Sequence, residues 1–318
     1  MNSPSWLADD LVRVEELLME TASASIYPLV QEASTHLIKA GGKRLRPALV
    51  LATSRSGEAG REETDLGAAA VELLHLASLY HDDVIDETLV RRGAPSVHSK
   101  WGNEVAILAG DFLFASGSLL GAQAGGDVPR ILARALADVC EGQIAETERL
   151  GDPTRSASQY VETIRRKTAA LFRASCELGA TTSGADPTLH SRLADYGENL
   201  GLAFQMVDDL LDFVGDPKIT GKTPGTDLKE GVFTLPVLIA SQRDPAVAAQ
   251  LEPGKRELGV VLPMLESTGA LEATYEQAQH YIGLALDALS QLPDAEWRSV
   301  LITISEGVLA QVTPGAAA

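Results

Sequence analysis

Leucine and alanine recur at spacings of three and four along almost the whole chain. No segment alternates apolar and polar residues as a half-buried strand does. That periodicity admits an all-α fold and little else. It predicts helices over residues 6–19, 27–39, 63–87, 104–121 and 128–150, with a further helix that Pro47 opens. It continues over 157–182, 187–213, 234–242, 256–265, 271–292 and 294–309. Asp186-Pro187 and Leu292-Pro293-Asp294 mark breaks, and Gly41-Gly42 ends the second helix. No linker rich in proline, glycine or serine divides the chain. Residues 1–312 are therefore expected to form one domain, and 313–318 a disordered tail.

Two aspartate clusters of one form sit inside this apolar pattern, Asp82-Asp83-Val84-Ile85-Asp86 and Asp208-Asp209-Leu210-Leu211-Asp212. Positions i and i+4 share a helix face, so Asp82 with Asp86, and Asp208 with Asp212, each aim two carboxylates one way. Like charges at that spacing oppose a helix by roughly 0.2–0.5 kcal/mol, and by more where water is excluded. A positive species is therefore expected between the clusters. Aspartate oxygens suit hard divalent cations, and Mg²⁺ held by a few carboxylates plus substrate phosphate oxygens fits best. Neither cluster has the alternating ligands, central glycine and distal glutamate of an EF-hand loop.

The basic residues stand out because the chain is acidic. A net charge of −18 leaves no surplus to neutralise nucleic-acid phosphates, so no nucleic-acid partner is expected. Against that background Lys43-Arg44-Leu45-Arg46, ahead of Pro47, and Arg91-Arg92, just after the first cluster, point to anion recognition. His75 stands seven residues before Asp82, two turns along the same helix face. Lys167, Thr168 and Gln205 are polar positions in apolar helical surroundings, as a cavity lining would be. His81 and His98 are given no role. The segment 215–231 carries Lys218, Lys222 and Lys229. It fails as a P-loop, having five residues between Gly215 and Gly221 where that motif has four, and reads instead as a glycine-bearing lid. Together these features describe a site for two diphosphates, one held by metal and one by basic side chains.

Cys140 and Cys176 form no CxxC pair, which fits a reducing compartment. The start MNSPSWLADD lacks a basic segment followed by an apolar run, and no stretch of about 18 uninterrupted apolar residues occurs. The expectation is a cytoplasmic protein with no secretory signal and no integral membrane segment.

At this point the chain resembles the trans-isoprenyl (polyprenyl) diphosphate synthases. The resemblance runs from about Gly41 to Pro236 and rests on ordered motifs: GGKRLRP, LLHLASLYHDDVIDE followed by RRG, RRKTAALF, LAFQMVDDLLDF, and GKTPGTDLKEGVFTLP. It implies an all-α prenyltransferase with helices around a deep central cavity, acting as a homodimer. The implied reaction is head-to-tail condensation of an allylic diphosphate with isopentenyl diphosphate, with three Mg²⁺ ions per site. Asp82, Asp86 and Asp208 match the family's metal ligands, and Asp83, Asp209 and Asp212 its supporting carboxylates. Lys43, Arg46, His75 and Arg92 match the isopentenyl diphosphate site. Arg91, Lys167 and Lys222 match cations on the allylic diphosphate, while Thr168 and Gln205 match polar groups near the developing carbocation. Two departures are Val232, where many members carry a basic residue, and a C-terminus without a basic tail.

Three alternatives are weighed against that reading. A silent partner subunit of a heteromeric synthase would lose an aspartate cluster or the basic islands, which this chain keeps. A terpene cyclase would carry a differently composed second metal motif. A short-chain synthase making farnesyl or geranylgeranyl diphosphate differs in product length. Small residues at Ala77 and Ser78, about one turn before Asp82, leave the path of a growing tail open and favour a medium- to long-chain product.

Overall fold

The structure, a computed structural model, describes residues 4–216 and 224–312. It is all-α, as the periodicity predicts. The first helices are α1 (Ser5–Ala22), α2 (Pro28–Lys39), α3 (Leu45–Ser54), α4 (Glu62–Ile85), α5 (Val97–Trp101) and α6 (Asn103–Ala124). Then come α7 (Val128–Thr147), α8 (Ala157–Ile164), α9 (Ala170–Thr182) and α10 (Pro187–Val214). Helices Thr226–Glu230, Leu235–Arg243, Pro245–Ala249, Leu258–Ser267, Ala270–Ser290 and Glu296–Leu309 complete the described chain. One departure is a two-stranded antiparallel hairpin, β1 (Val90–Arg91) with β2 (Ala94–Pro95). Another is a π-helical stretch, Arg165–Ala169, that interrupts the helix expected over 157–182. A third is the start of α3 at Leu45, which leaves Pro47 inside the first turn, where its missing N–H has no helical acceptor to lose.

Contacts group the chain into two units, each drawn from separate stretches. The first comprises Met1–Leu136, Leu171–Ala194 and Leu292–Leu301, the second Ala137–Ala170, Asp195–Gln291 and Ile302–Ala318. In the first unit α4 is the central helix. Leu73, Leu76, Ala77 and Tyr80 are buried along it, and each large apolar side chain withdrawn from water stabilises the fold by about 1.5–3 kcal/mol. Two glycines on α6 receive two α4 side chains at matching seven-residue intervals. A Cβ on Gly110 would stand 2.3 Å from the His81 ring, and one on Gly117 would stand 2.6 Å from Leu74. His81 is thus a packing residue, and its Nε2 lies 3.1 Å from the Ile107 carbonyl. The Tyr80 hydroxyl, buried on the same helix, donates to the Ala33 carbonyl at 2.7 Å and ties α4 to α2.

Helix α6 bears on the expectation of no integral membrane segment without overturning it, because a core helix passes the same test of length and composition. It is long and apolar enough to cross a membrane by length and composition, with a mean hydropathy of 1.7. Asp111 and its glycines and serines break the run that a strict count of apolar residues seeks, while the average stays high. The α4-facing side accounts for part of that apolar character. Ile107, Leu108 and Leu119 are exposed on the rest.

In the second unit α8 begins with a reciprocal cap: the Ser156 hydroxyl accepts from the Gln159 N–H, and the Gln159 side chain accepts from the Ser156 N–H at 3.0 Å. The helix that follows widens by one residue at Arg165–Ala169, a local change that re-aims side chains and recurs at functional sites.

Candidate active site

The first aspartate cluster ends α4. Asp86 is its C-cap, and its N–H donates to the Asp82 carbonyl at 2.8 Å, so the i, i+4 relation read from the sequence is kept to the helix end. The members of the cluster have different surroundings. Asp82 is half-buried and Asp86 exposed, whereas Asp83 is fully buried. Arg91 Nε and Nη2 both donate to Asp83 Oδ1, at 2.8 and 2.6 Å. Asp83 Oδ2 is buried without a hydrogen-bond partner among the described residues. Burial raises the Asp83 pKa and Arg91 opposes the rise.

The hairpin explains how two adjacent arginines come to do different things. Its turn residues Arg92 and Gly93 both have positive φ, 54° and 74°, the handedness a tight two-residue hairpin needs. Arg91 stays on β1 and reaches Asp83. Arg92 turns away, and its Nη1 donates to the carbonyls of Leu37 (3.1 Å) and Gly41.

Arg92 thereby meets the second basic island. Arg44 is left-handed (φ 48°) at the N-cap of α3, and its guanidinium takes Glu15 with two bonds of 2.6 and 2.7 Å. Arg44 Nη1 reaches Glu72 at 3.3 Å and its Nη2 reaches the Ile38 carbonyl at 3.1 Å. A side chain on Gly42 would stand 2.9 Å from a guanidinium nitrogen of Arg44 and 2.9 Å from one of Arg92. Arg46, two residues on, lies with Cζ 5.0 Å from the centre of the Phe172 ring. Burial pushes its guanidinium down to about 10, with Glu72 opposing and Arg92 adding to the fall. His75 is held well below the ordinary imidazole range by burial and then by Arg46, Arg92, Arg91 and Arg44, so its ring is neutral near pH 7. Lys43, Arg46, His75 and Arg92, singled out in the sequence, are thus assembled in one unit, with Lys43 exposed.

The second cluster repeats the division of labour. Asp208 is half-buried, and Asp209 and Asp212 are buried. Gln205 Nε2 donates to Asp209 Oδ1 at 2.8 Å, and the Tyr160 hydroxyl donates to Asp209 Oδ2. The Gln205 amide is held at its other end by Thr168 Oγ1, which donates to Oε1 at 2.7 Å. Burial, with help from Asp208 and Glu146, pushes the Asp209 carboxyl up to about 7, against the lowering effect of Tyr160 and Gln205. Asp212 is tied to the following loop: its carbonyl accepts from the Gly225 N–H at 2.8 Å and its Oδ1 from the Thr226 N–H at 3.3 Å. The Lys167 ammonium pairs with Glu146.

Three residues in these networks were not anticipated. Glu72 is a charged side chain in the apolar run VELLH, three residues before His75, and that contrast was the available signal. Tyr160 gave none beyond being aromatic. Gly142 on α7 gave none either, yet a Cβ there would stand 2.4 Å from the backbone nitrogen of Lys167. Lys218 and Lys222 and the tail 313–318 lie outside the described residues.

Among the described residues no three His, Cys, Asp or Glu side chains stand close enough to hold an ion unaided. Mg²⁺ is commonly bound by one or two carboxylates with substrate phosphates and water completing its oxygen shell. The donor set, carboxylates with no thiol or imidazole among them, fits Mg²⁺.

The family profile described as polyprenyl synthetase matches residues 27–256. The chain is 41% identical to heptaprenyl diphosphate synthase component 2 of Geobacillus stearothermophilus, over 93% of this chain and 94% of that one. It is 36% identical to nonaprenyl diphosphate synthase of Mycobacterium tuberculosis, over 92% and 90%. Its structure resembles the crystal structure of a polyprenyl synthase from Caulobacter crescentus, complexed with calcium and isoprenyl diphosphate. The TM-score is 0.91 at 38% identity, with 95% of each chain covered.

Proposed function

The chain belongs to the polyprenyl synthetase family, and from that premise we propose that its two aspartate clusters and basic island carry out Mg²⁺-dependent chain elongation. It is a prenyltransferase with the all-α isoprenoid-synthase fold, a trans-polyprenyl diphosphate synthase of the medium- to long-chain class. The observation that carries the site reading is the same split in each cluster. One aspartate is buried and engaged by protein donors, Asp83 by Arg91 and Asp209 by Tyr160 and Gln205, beside a half-buried Asp82 or Asp208.

In this reading Asp82, Asp86 and Asp208 hold Mg²⁺, with Asp83, Asp209 and Asp212 fixing their helices. Bound Mg²⁺ supplies charge neutralisation that makes the allylic diphosphate a leaving group. Arg91, Lys167 and Lys222 add cationic contacts to that diphosphate. Lys43, Arg46, Arg92 and neutral His75 bind the diphosphate of isopentenyl diphosphate. The allylic C–O bond breaks and the isopentenyl double bond forms the new C–C bond. A proton then passes to the departing diphosphate. Gln205, held at Oε1 by Thr168 and at Nε2 by Asp209, serves with Thr168 as a fixed polar pair near the developing carbocation. We take residues 1–312 as one catalytic domain.

The growing tail runs along α4 past Ala77 and Ser78. Leu74 and His81 flank these two positions and meet Gly117 and Gly110 of α6. Ala77→Phe and Ser78→Phe are each expected to shorten the product by one or more isoprene units, read by mass analysis of the hydrolysed prenyl alcohols. Wild-type product distributions from both variants would refute that route.

The exposed apolar stripe of α6, with Ile107, Leu108 and Leu119 at 44, 59 and 65% exposure, supports a homodimer through this helix. Leu108→Glu with Leu119→Glu should shift the mass measured by light scattering to that of one chain. An unchanged dimer mass would place the contact elsewhere.

One similarity favours a second reading, since the relative from Geobacillus stearothermophilus is component 2 of its synthase. Incubating the purified chain alone with isopentenyl diphosphate, farnesyl diphosphate and Mg²⁺ separates the two. Elongated product supports self-sufficiency, and its absence supports a subunit that needs a partner.

A further inference from the structure

Glu72 is 2% exposed and sits on α4 one turn before His75, amid the basic island of the first unit. Its Oε1 lies 3.3 Å from Arg44 Nη1. Its charge is felt by Arg44, Arg46 and Arg92 alike, and all three oppose the upward push of burial on its carboxyl. Apart from the one Arg44–Glu72 bond, the arginines have other partners. Arg44 is fixed by two bonds to Glu15 and one to the Ile38 carbonyl, Arg92 by the Leu37 and Gly41 carbonyls, and Arg46 by the Phe172 ring. What Glu72 adds is charge. Arg46 Nε is buried with no hydrogen-bond partner among the described residues.

We propose that Glu72 is a built-in counterion that stabilises the ligand-free arginine island and competes with the incoming diphosphate for its field. Guanidiniums collected in a low-dielectric site repel one another, and Glu15 answers Arg44 alone, so Glu72 is the buried carboxylate left to offset the rest. One buried carboxylate keeps the empty site folded, while the positive excess remains enough to attract a diphosphate. The carboxylate also limits how tightly that diphosphate is held, so that a site used once per elongation cycle can be refilled. The inference rests on the reading of this island as a diphosphate site.

The test uses the full chain, inorganic pyrophosphate and no divalent cation. Wild type and Glu72→Gln are compared by isothermal titration and by thermal unfolding. Removing the competing charge should tighten pyrophosphate binding about tenfold, and the rise in Tm caused by pyrophosphate should be larger in the variant than in wild type. Without ligand, Glu72→Gln should melt at a lower temperature. If it does not fold well enough to titrate, the double variant Glu72→Gln/Arg46→Gln, in which the charge balance is restored, should recover most of the lost Tm. A residue that merely packs would give no such recovery and no tighter binding. Pyrophosphate bound by wild type, but bound equally or more weakly by Glu72→Gln, overturns the counterion role while leaving the diphosphate site standing. No recovery in the double variant overturns it as well. No binding by either protein overturns the site and the inference together.

Discussion

Asp82→Ala and Asp208→Ala are each expected to lower turnover by at least about 10²–10³-fold, the cost of losing one electrostatic stabiliser of a charged transition state. A loss of chemistry is told from a loss of fold by the contrast between neighbours in each cluster. The buried members of the clusters, Asp83 and Asp209, carry the structural bonds, to Arg91 in one case and to Tyr160 and Gln205 in the other. Asp82 and Asp208 are half-buried neighbours. The variants relieve the i, i+4 like-charge repulsion within each helix, which offsets part of any stability lost with the side chain. The measurement is kcat for incorporation of labelled isopentenyl diphosphate at saturating Mg²⁺, alongside thermal unfolding. Near-normal kcat in both variants would defeat the metal assignment. A large fall in Tm matching the fall in activity would recast both residues as structural.

Gly142→Ala should be nearly as damaging, although the residue carries no chemistry. A methyl group there would stand 2.4 Å from the Lys167 nitrogen, 2.7 Å from its Cα and 2.9 Å from its Cβ. Backbone cannot swing aside as the end of a flexible side chain can, so α7 or the π-helical stretch Arg165–Ala169 must shift. Overpacking of that kind costs about 1–3 kcal/mol of stability. The larger effect falls on the site. Lys167 pairs with Glu146, and Thr168 holds Gln205. A displacement near 1 Å of groups that orient reacting atoms can cost about 10²-fold in rate. We expect kcat to fall by about that factor and Tm to fall modestly. Wild-type kcat would mean that the close approach is slack and that positioning of Lys167 tolerates it.

Much of the site was legible because its chemistry is local. Carboxylates at i and i+4 share a helix face whatever surrounds the helix, so Asp82 with Asp86, and Asp208 with Asp212, could be read directly. The basic island needed only the contrast of Lys43, Arg44 and Arg46 with an acidic chain. What could not be read was which charge answers which. Arg91 and Arg92 are adjacent and alike in sequence, yet the left-handed turn at Arg92-Gly93 sends one to Asp83 and the other to the Leu37 carbonyl. Arg44 looks as functional as Arg46 until Glu15, brought in by α1, takes its guanidinium. The π-helical stretch was equally hidden, because RRKTA has the composition of an ordinary helix.

The sequence by itself determined the all-α class, the extent of most helices and the faces that carry the aspartates, since each follows from periodicity within a few turns of chain. Only the tertiary structure decided that Asp83 and Asp209 are anchors beside Asp82 and Asp208, that Glu72 sits among three arginines, and that Gly142 must lack a side chain. Those facts depend on which segments, far apart in sequence, are brought within a few ångströms. Coulombic energy, hydrogen bonding and steric exclusion act over that distance, and no local pattern encodes it.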